Sequence, residues 1–119
     1  SLRCGGPAEG FVGRIARWLR REALRVLSEA AAAAAAKAGV RVTSVSVGDA
    51  ATRWGSCSSD GAIRFNWRLI LAPPTVRRWV VAHEVAHRLH MDHSPDFKRA
   101  ETEIYGGDAA AARSELRRL

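Results

Sequence analysis

All four histidines of the chain lie between positions 83 and 93, in the pattern His-Glu-x-x-His-x-x-x-x-x-His. Two histidines four residues apart on a helix point from the same face, so the imidazoles of His83 and His87 can reach one metal ion. Glu84 lies beside them, where its carboxylate can take a proton from a metal-bound water. The pattern predicts a catalytic zinc site with two histidine ligands and a glutamate base.

A catalytic zinc site needs a third protein ligand, and the candidates are His90 and His93. His90 would lie about 10.5 Å along the helix from His83, and three ligands along one straight helix cannot easily surround an ion. His93 avoids this problem if the helix ends near Asp92, a residue type that tolerates the backbone of a helix terminus. Ser94 would then be the N-cap of a new helix. We therefore predict His93 as the third ligand, and for His90 either a packing role or contact with the metal ligands.

The residues around these histidines are apolar on nearly all sides, which is typical of a buried helix. Core histidines satisfied by hydrogen bonds are the structural alternative. That alternative must bury several imidazoles and the Glu84 carboxylate on one helix, which is costly without partners. The surroundings therefore favour a functional site.

The chain has 119 residues, enough for one domain with a modest core. Apolar residues at three- and four-residue steps predict a helix over residues 11–38, which Gly39 ends. The composition predicts that residues 1–10 are a flexible N-terminal segment and that residues 11–119 form a single domain. The expected fold class is α+β, with a long N-terminal helix ahead of the other elements.

Alternation of apolar and polar residues predicts a small antiparallel sheet after that helix. The predicted strands lie within residues 40–47 and 63–71, with a turn at residues 58–61. Pro73-Pro74 ends the sheet and opens the active-site helix, and Gly106-Gly107 separates two C-terminal helices.

The net charge is +7, with 19 Lys+Arg against 12 Asp+Glu. Four arginines form a stripe on the first helix, which either solvates the helix or contacts nucleic acid or a nucleotide. They are Arg14, Arg17, Arg21 and Arg25. No apolar run approaches the ~20 residues of a membrane span, so no membrane contact is predicted. Two cysteines, Cys4 and Cys57, do not make a disulfide framework, which favours the cytoplasm.

Four motifs, in order along the chain, resemble the YgjP-like family of metal-dependent hydrolases. They are Arg53-Trp54-Gly55-Ser56-Cys57-Ser58, Asn66-Trp67-Arg68-Leu69, His83-Glu84-Val85-Ala86-His87 and His93-Ser94-Pro95-Asp96-Phe97. This family resembles the WLM and SprT-like proteases and shares the minigluzincin type of zincin core.

The resemblance implies a zincin-like fold. It assigns His83, His87 and His93 to the metal and Glu84 to the general base, in agreement with the spacing. Members of the family usually carry a β-rich segment before the first helix, and no such pattern precedes residue 11. This difference leaves open whether the chain holds the whole substrate site.

These observations predict a zinc-dependent metallopeptidase with one Zn²⁺ per chain, in which Glu84 assists attack by a zinc-bound water on a peptide bond. Zincins of this kind bind an extended polypeptide along an edge strand, here within residues 53–58 or 63–66. Cys57 is predicted to be a small buried residue, because a fourth protein ligand would close the site. The candidate substrate-binding residues are Arg53, Asn66, Arg68 and Tyr105.

Two alternatives remain open from the sequence. The first is a metal-dependent nucleoside triphosphate pyrophosphatase, an activity ascribed to the YgjP-like family, whose phosphates would suit arginine side chains. The second is a nucleic-acid-associated module whose zinc is not catalytic. A buried Glu84 between two ligands favours an enzyme, whereas scattered arginines without stacked aromatic repeats speak against a dedicated binding module.

Overall fold

The computed structural model describes residues 7–50 and 52–119. It contains four α-helices, three short strands and one 3₁₀ helix, and the fold class is α+β as predicted. The elements are α1 (Pro7–Ala38), β1 (Ser44–Gly48), β2 (Gly55–Cys57), β3 (Ala62–Asn66), the 3₁₀ helix (Trp67–Leu71), α2 (Pro74–Ala86), α3 (Pro95–Tyr105) and α4 (Ala109–Arg117).

Helix α1 begins at Pro7, four residues before the predicted start, because proline suits the first turn of a helix. Residues 7–10 are therefore helical, although the sequence analysis placed them in a flexible segment; Cys4 lies outside the described residues. The buried side of α1 repeats every four residues, at Ala23, Leu27, Ala31 and Ala35. The small side chains let α1 approach its neighbours closely.

The three strands form a mixed sheet in the order β1-β3-β2, so the prediction of a purely antiparallel sheet was wrong. Strand β2 is antiparallel to β3, but β1 is parallel to it. The reason is that β1 ends and β2 begins at the same end of β3, next to Asn66 and Phe65, on opposite sides of that strand. The connection between β1 and β2 is as short as a hairpin loop, so its length in the sequence could not distinguish the two arrangements.

Strand β3 ends earlier than predicted, because residues 67–71 form the 3₁₀ helix. The side chain of Asn66 caps this helix by accepting a hydrogen bond from the backbone N–H of Arg68 at 3.0 Å. The inward residues of β3, Ile63 and Phe65, are buried in a single apolar cluster with side chains from all four helices. The opposite face of β3 carries the exposed Arg64.

The helix ends around the histidines follow local sequence signals. Pro73 precedes α2 and Pro74 occupies its first turn, as predicted. Ser94 caps α3, its hydroxyl accepting from the N–H of Phe97 at 3.3 Å, and Gly106 ends α3 with a φ of 73°. The end of α2 comes at Ala86, earlier than the predicted end near Asp92. None of the described helices is long and apolar enough to cross a membrane.

Candidate metal centre

Three histidines converge where α2 meets the loop before α3. His83 lies in the last turn of α2, and His87 caps that helix at its C-terminus. The chain then turns through residues 87–94 and brings His93 back, with its ring centroid 5.3 Å from that of His83 and 4.9 Å from that of His87. One potential ligand atom from each histidine lies within 4.8 Å of the others. This spacing and donor set fit a metal ion.

The early end of α2 explains why His93 and not His90 joins this cluster. The N–H of His87 donates to Glu84 O at 3.2 Å, and that of Arg88 donates to Val85 O at 2.9 Å. These shorter-range bonds tighten the last turn and start the reversal of the chain. The side chain of His90 is not part of the group formed by His83, His87 and His93.

Each helical histidine is oriented by a hydrogen bond at Nδ1. Nδ1 of His83 lies 2.6 Å from Oε2 of Glu101, which is buried on α3. Nδ1 of His87 lies 3.1 Å from the carbonyl oxygen of His90. With Nδ1 as the donor in both bonds, Nε2 is left as the free ligand atom of each ring. His90 thus contributes its backbone to the site.

Phe97 forms the floor beneath the three imidazoles. Its ring centroid lies 5.1 Å from that of His83, 4.5 Å from that of His87 and 5.0 Å from that of His93. The side chain is 1% exposed, so its position is determined by the core. Packing against one rigid ring restricts the rotamers of all three histidines, which pre-orders the site before a metal binds.

Glu84 is buried beside the cluster. Loss of solvation raises the pKa of Glu84 from 4.5 to about 7, while His83 and Arg53 oppose the rise. The carboxylate faces strand β2 at Gly55, where an added Cβ would lie 3.0 Å from both Cγ and Oε2 of Glu84. Glycine at this position therefore lets the strand approach the glutamate closely. Burial also lowers the pKa of His87, which favours the neutral form that binds metals.

An open cleft of about 300 Å³ lies over the three histidines and Glu84. Its other walls come from the segment before β2, from β2 itself and from the loop after α2: Arg53, Gly55, Ser56, Cys57 and Met91. The Cys57 thiol is half-buried, and burial raises its pKa, so the thiol stays protonated at neutral pH. The described residues that could hold a metal as one group are the three histidines, without this cysteine.

Of the four candidate substrate-binding residues, Arg53 lines this cleft and the other three do not. Asn66 and Arg68 instead hold the segment 49–54 that leads into β2. The amide of Asn66 donates to Ala50 O at 2.9 Å, and Arg68 forms an ion pair with Asp49. These contacts join the chain after β1 to the end of β3 and the start of the 3₁₀ helix, outside the cleft.

Tyr105 lies at the far end of α3, away from the histidines. Its hydroxyl donates to the carbonyl of Thr75 at 3.1 Å, and its ring separates two surface hollows that do not include the cleft. This contact joins the end of α3 to the start of α2, so Tyr105 supports the helix packing.

Arg88, in the turn after α2, binds the backbone of the segment before β1 and that of the turn between β2 and β3. Its Nε donates to Arg41 O at 2.7 Å, and its Nη1 donates to Ser59 O at 2.9 Å. Since Arg88 directly follows His87, these bonds restrict the position of His87 relative to the end of β2.

The sequence analysis gave no role to three contributors to the site: Gly55 and Phe97, which it named only within motifs, and Glu101. A signal for Glu101 was present, because a carboxylate lies among the apolar positions Phe97, Ala100 and Ile104 of one helix face. A buried carboxylate needs a partner, and the nearby histidines are the available ones. Gly55 offered no comparable signal.

The α+β fold around the histidine cluster is shared with a solved metallopeptidase. The structure is similar to the crystal structure of the metallopeptidase zymogen of Pyrococcus abyssi abylysin, with a TM-score of 0.67 and 17% sequence identity. The match covers 76% of this chain and 90% of that chain, and it shows a common zincin-like fold.

The family model described as YgjP-like, metallopeptidase domain matches residues 6–119. The chain belongs to the YgjP-like family, in agreement with the resemblance of its four motifs, and it is a metal-dependent hydrolase by class. No curated protein sequence matches it.

Proposed function

We propose that this chain is a zinc-dependent metallopeptidase that holds one Zn²⁺ through His83, His87 and His93. The observation that carries the proposal is the convergence of three imidazoles, with ligand atoms within 4.8 Å of one another, at the floor of an open cleft. Three protein ligands leave a fourth position for water, which distinguishes catalytic from structural zinc sites. Imidazole nitrogens are suitable ligands for zinc. The oxygen atoms that accept a hydrogen bond from Nδ1 of His83 and His87 make the other ring nitrogen a stronger metal ligand.

Glu84 is the proposed general base. When bound, zinc supplies a Lewis acid that makes water acidic and polarises the scissile carbonyl. Glu84 takes the proton from the attacking water and passes it to the leaving amine. Burial raises the pKa of Glu84 to about 7 in the metal-free protein, and a more basic carboxylate is a better proton acceptor. Its burial excludes competing bulk water from the proton transfer.

Strand β2 supports an extended polypeptide as the substrate. It is an edge strand of the sheet, and it forms one wall of the cleft above the histidines. An extended peptide can add to such an edge through backbone hydrogen bonds, with little dependence on its sequence. This arrangement would hold the scissile bond beside Glu84.

The proposal is tested by assaying the zinc-loaded protein against casein and, separately, against nucleoside triphosphates. We expect casein hydrolysis that falls by about 10²-fold or more in Glu84→Gln, the usual scale of a general base. The matched control is Glu103→Gln, an exposed glutamate on α3, which should hydrolyse casein normally.

Hydrolysis of the triphosphates but not of casein would overturn the peptidase proposal in favour of the pyrophosphatase alternative. Full casein hydrolysis by Glu84→Gln would remove Glu84 from the mechanism. Zinc binding without hydrolysis of either substrate class would favour a non-catalytic role for the metal.

A further inference from the structure

The first part of α1 extends beyond the rest of the protein. The helix has 32 residues, which corresponds to a length of about 48 Å. The protein measures 54 Å in its longest dimension and 30 and 21 Å in the other two, so the length of α1 accounts for most of the long dimension. The buried residues of α1 begin at Ala23. None of residues 10–22 is buried, and this segment, the protruding part of α1, is about 20 Å long.

One face of the protruding part is apolar and exposed to solvent. The side chain of Phe11 is 56% exposed, that of Ile15 is 42% exposed and that of Trp18 is 53% exposed. These residues follow one another at steps of four and three, so they share one face of the helix. Val12, which is 64% exposed, extends this face on one side. A cluster of large exposed apolar side chains on a folded domain indicates a contact surface.

This apolar face points away from the core of the protein. Phe11, Ile15 and Leu19 continue, at the same four-residue spacing, the row that is buried at Ala23 and Leu27. Four residues turn a helix by about 400°, so the row shifts around the helix by about 40° at each step. Phe11 is therefore turned by about 120° from Ala23 around the helix axis. Because of this rotation, the face leaves the core side of α1 and stays open to a partner.

The other side of the protruding part is basic. Residues 10–22 contain four arginines and a single acidic residue. Three of the arginines, at steps of three and four, are exposed and form no ion pair within the part of the chain that the structure describes: Arg14, Arg17 and Arg21. The fourth is paired with the segment after β1. A partner that matches this segment must therefore carry negative charge and also accept apolar side chains.

Three kinds of partner can be compared on these two requirements. A second copy of the chain, paired through the apolar face, would bring the arginines that flank this face on two helices close together, and like charges repel. Nucleic acid would neutralise the arginines but would leave the apolar face in water. The surface of an anionic lipid bilayer offers phosphates in its headgroup layer and hydrocarbon directly beneath. Anionic lipid is therefore the partner that matches both sides of the helix.

We propose that the protruding part of α1 is an interfacial helix that binds this protein to membranes containing anionic lipids. Phe11, Ile15 and Trp18 enter the boundary between the headgroups and the acyl chains, and Arg14 and Arg21 extend from the edge of this face to the lipid phosphates.

A helix that lies flat in the interface needs no membrane-spanning length. The prediction of no membrane contact rested on the lack of a spanning run in the sequence, which does not bear on a helix of this kind. The proposal is also independent of the peptidase function, because the metal cleft is lined by residues outside α1.

The proposal is tested by co-sedimentation of the full chain with vesicles of phosphatidylcholine alone and with vesicles that also contain phosphatidylglycerol. We expect the anionic vesicles to bind the protein about 10-fold or more tightly than the neutral ones, and added salt should weaken this preference. Phe11→Gln combined with Ile15→Gln should weaken binding by about 10-fold or more, because less apolar surface leaves water. The matched control is Leu71→Gln, at an exposed leucine outside α1, which should bind as the wild type does.

The arginines are tested separately. Arg14→Gln combined with Arg21→Gln should weaken binding to the anionic vesicles by about 10-fold and should leave binding to the neutral vesicles unchanged. Arg41→Gln combined with Arg117→Gln removes the same charge from exposed positions outside α1 and should change the affinity by less than about 2-fold. Circular dichroism of each variant shows whether the fold is intact.

Trp18 provides a spectroscopic measurement of the same contact. Lipids with brominated acyl chains quench tryptophans that enter the bilayer. We expect them to quench the fluorescence of the wild-type protein more than that of Trp18→Phe, because Trp18 is the tryptophan on the apolar face. Equal quenching in the two proteins would show that this face does not enter the lipid and would overturn the proposal.

Other results would also overturn the interfacial helix. Binding to anionic vesicles that is unchanged in Phe11→Gln combined with Ile15→Gln would show that the arginines act without the apolar face. A dimer in light scattering that this variant dissociates, in place of vesicle binding, would assign the face to a second copy. Binding of a DNA or RNA oligonucleotide without binding of vesicles would assign the arginines to nucleic acid.

Discussion

Oε2 of Glu101 lies 2.6 Å from Nδ1 of His83, and this contact joins α3 to the last turn of the metal-site helix. Glu101 is 3% exposed, so the hydrogen bond is shielded from water. The pair has the arrangement by which a carboxylate determines the tautomer of a metal-binding histidine and makes its other nitrogen a stronger donor.

We therefore expect Glu101→Gln to weaken metal binding by about 10- to 100-fold, the usual effect of losing such a carboxylate. The affinity can be measured by competition with a chromogenic chelator. Glu103→Gln, on the exposed side of the same helix, is the control and should bind metal normally. Equal affinities in the two variants would show that Glu101 does not support His83.

His93→Ala should lose the metal, whereas His90→Ala should keep it. The prediction follows from the geometry, because His93 contributes a ring nitrogen to the cluster and His90 contributes its backbone carbonyl. Elemental analysis of the purified variants measures the metal content per chain. Retention by His93→Ala and loss by His90→Ala would reverse the assignment of the third ligand.

Glu84→Gln should stabilise the metal-free protein at alkaline pH. Burial raises the pKa of Glu84 from 4.5 in the unfolded chain to about 7, so folding disfavours the ionised carboxylate. The contribution of Glu84 to stability is full below pH 4.5 and is lost as the pH rises through about 7. At pH 8 the glutamine variant should be more stable by roughly 1–3 kcal/mol, since one pKa unit corresponds to about 1.4 kcal/mol.

Urea unfolding of both proteins at pH 4 and pH 8 checks this prediction. The difference between them should be near zero at pH 4. It should also shrink at pH 8 when zinc is added, because a nearby cation favours the carboxylate. If Glu84→Gln is less stable than the wild-type protein at pH 8, burial of the ionised Glu84 carboxylate does not destabilise the fold and the prediction is wrong.

The exposed arginines of α1 lead to a prediction about nucleic acid. Arg25 is engaged by Glu22 and Glu29, whereas Arg14, Arg17 and Arg21 form no ion pairs within the described part of the chain. If these three bind phosphates, affinity for DNA or RNA should fall by roughly 0.7 to 0.9 log units per log unit of salt for each phosphate contacted. Filter binding at two salt concentrations, with Arg17 and Arg21 changed to Ala, measures this slope. An affinity that changes neither with the salt concentration nor in the arginine variants would exclude a nucleic-acid role for this stripe.

Four local features could be interpreted from the sequence: the spacing of the histidines, the two prolines at the start of α2, the Ser94 cap and Gly106. Each of these signals acts within about one helical turn, so the local chain carries the information needed to interpret it. The same holds for the choice of His93, which required only that the helix stop before it. The α+β class followed from the change of apolar periodicity along the chain.

The tertiary structure decided which edge strand lies beside the three histidines. The strand order depends on which side of β3 each of β1 and β2 pairs with, and neither strand carries this information in its own alternation. The sequence analysis predicted substrate binding for Asn66 and Arg68, and only the tertiary structure shows that they contact Ala50 and Asp49 outside the cleft. The hydrogen bond between Glu101 and His83 also depends on the tertiary structure. Two helices must pack together before a buried carboxylate and an imidazole 18 residues apart can form it.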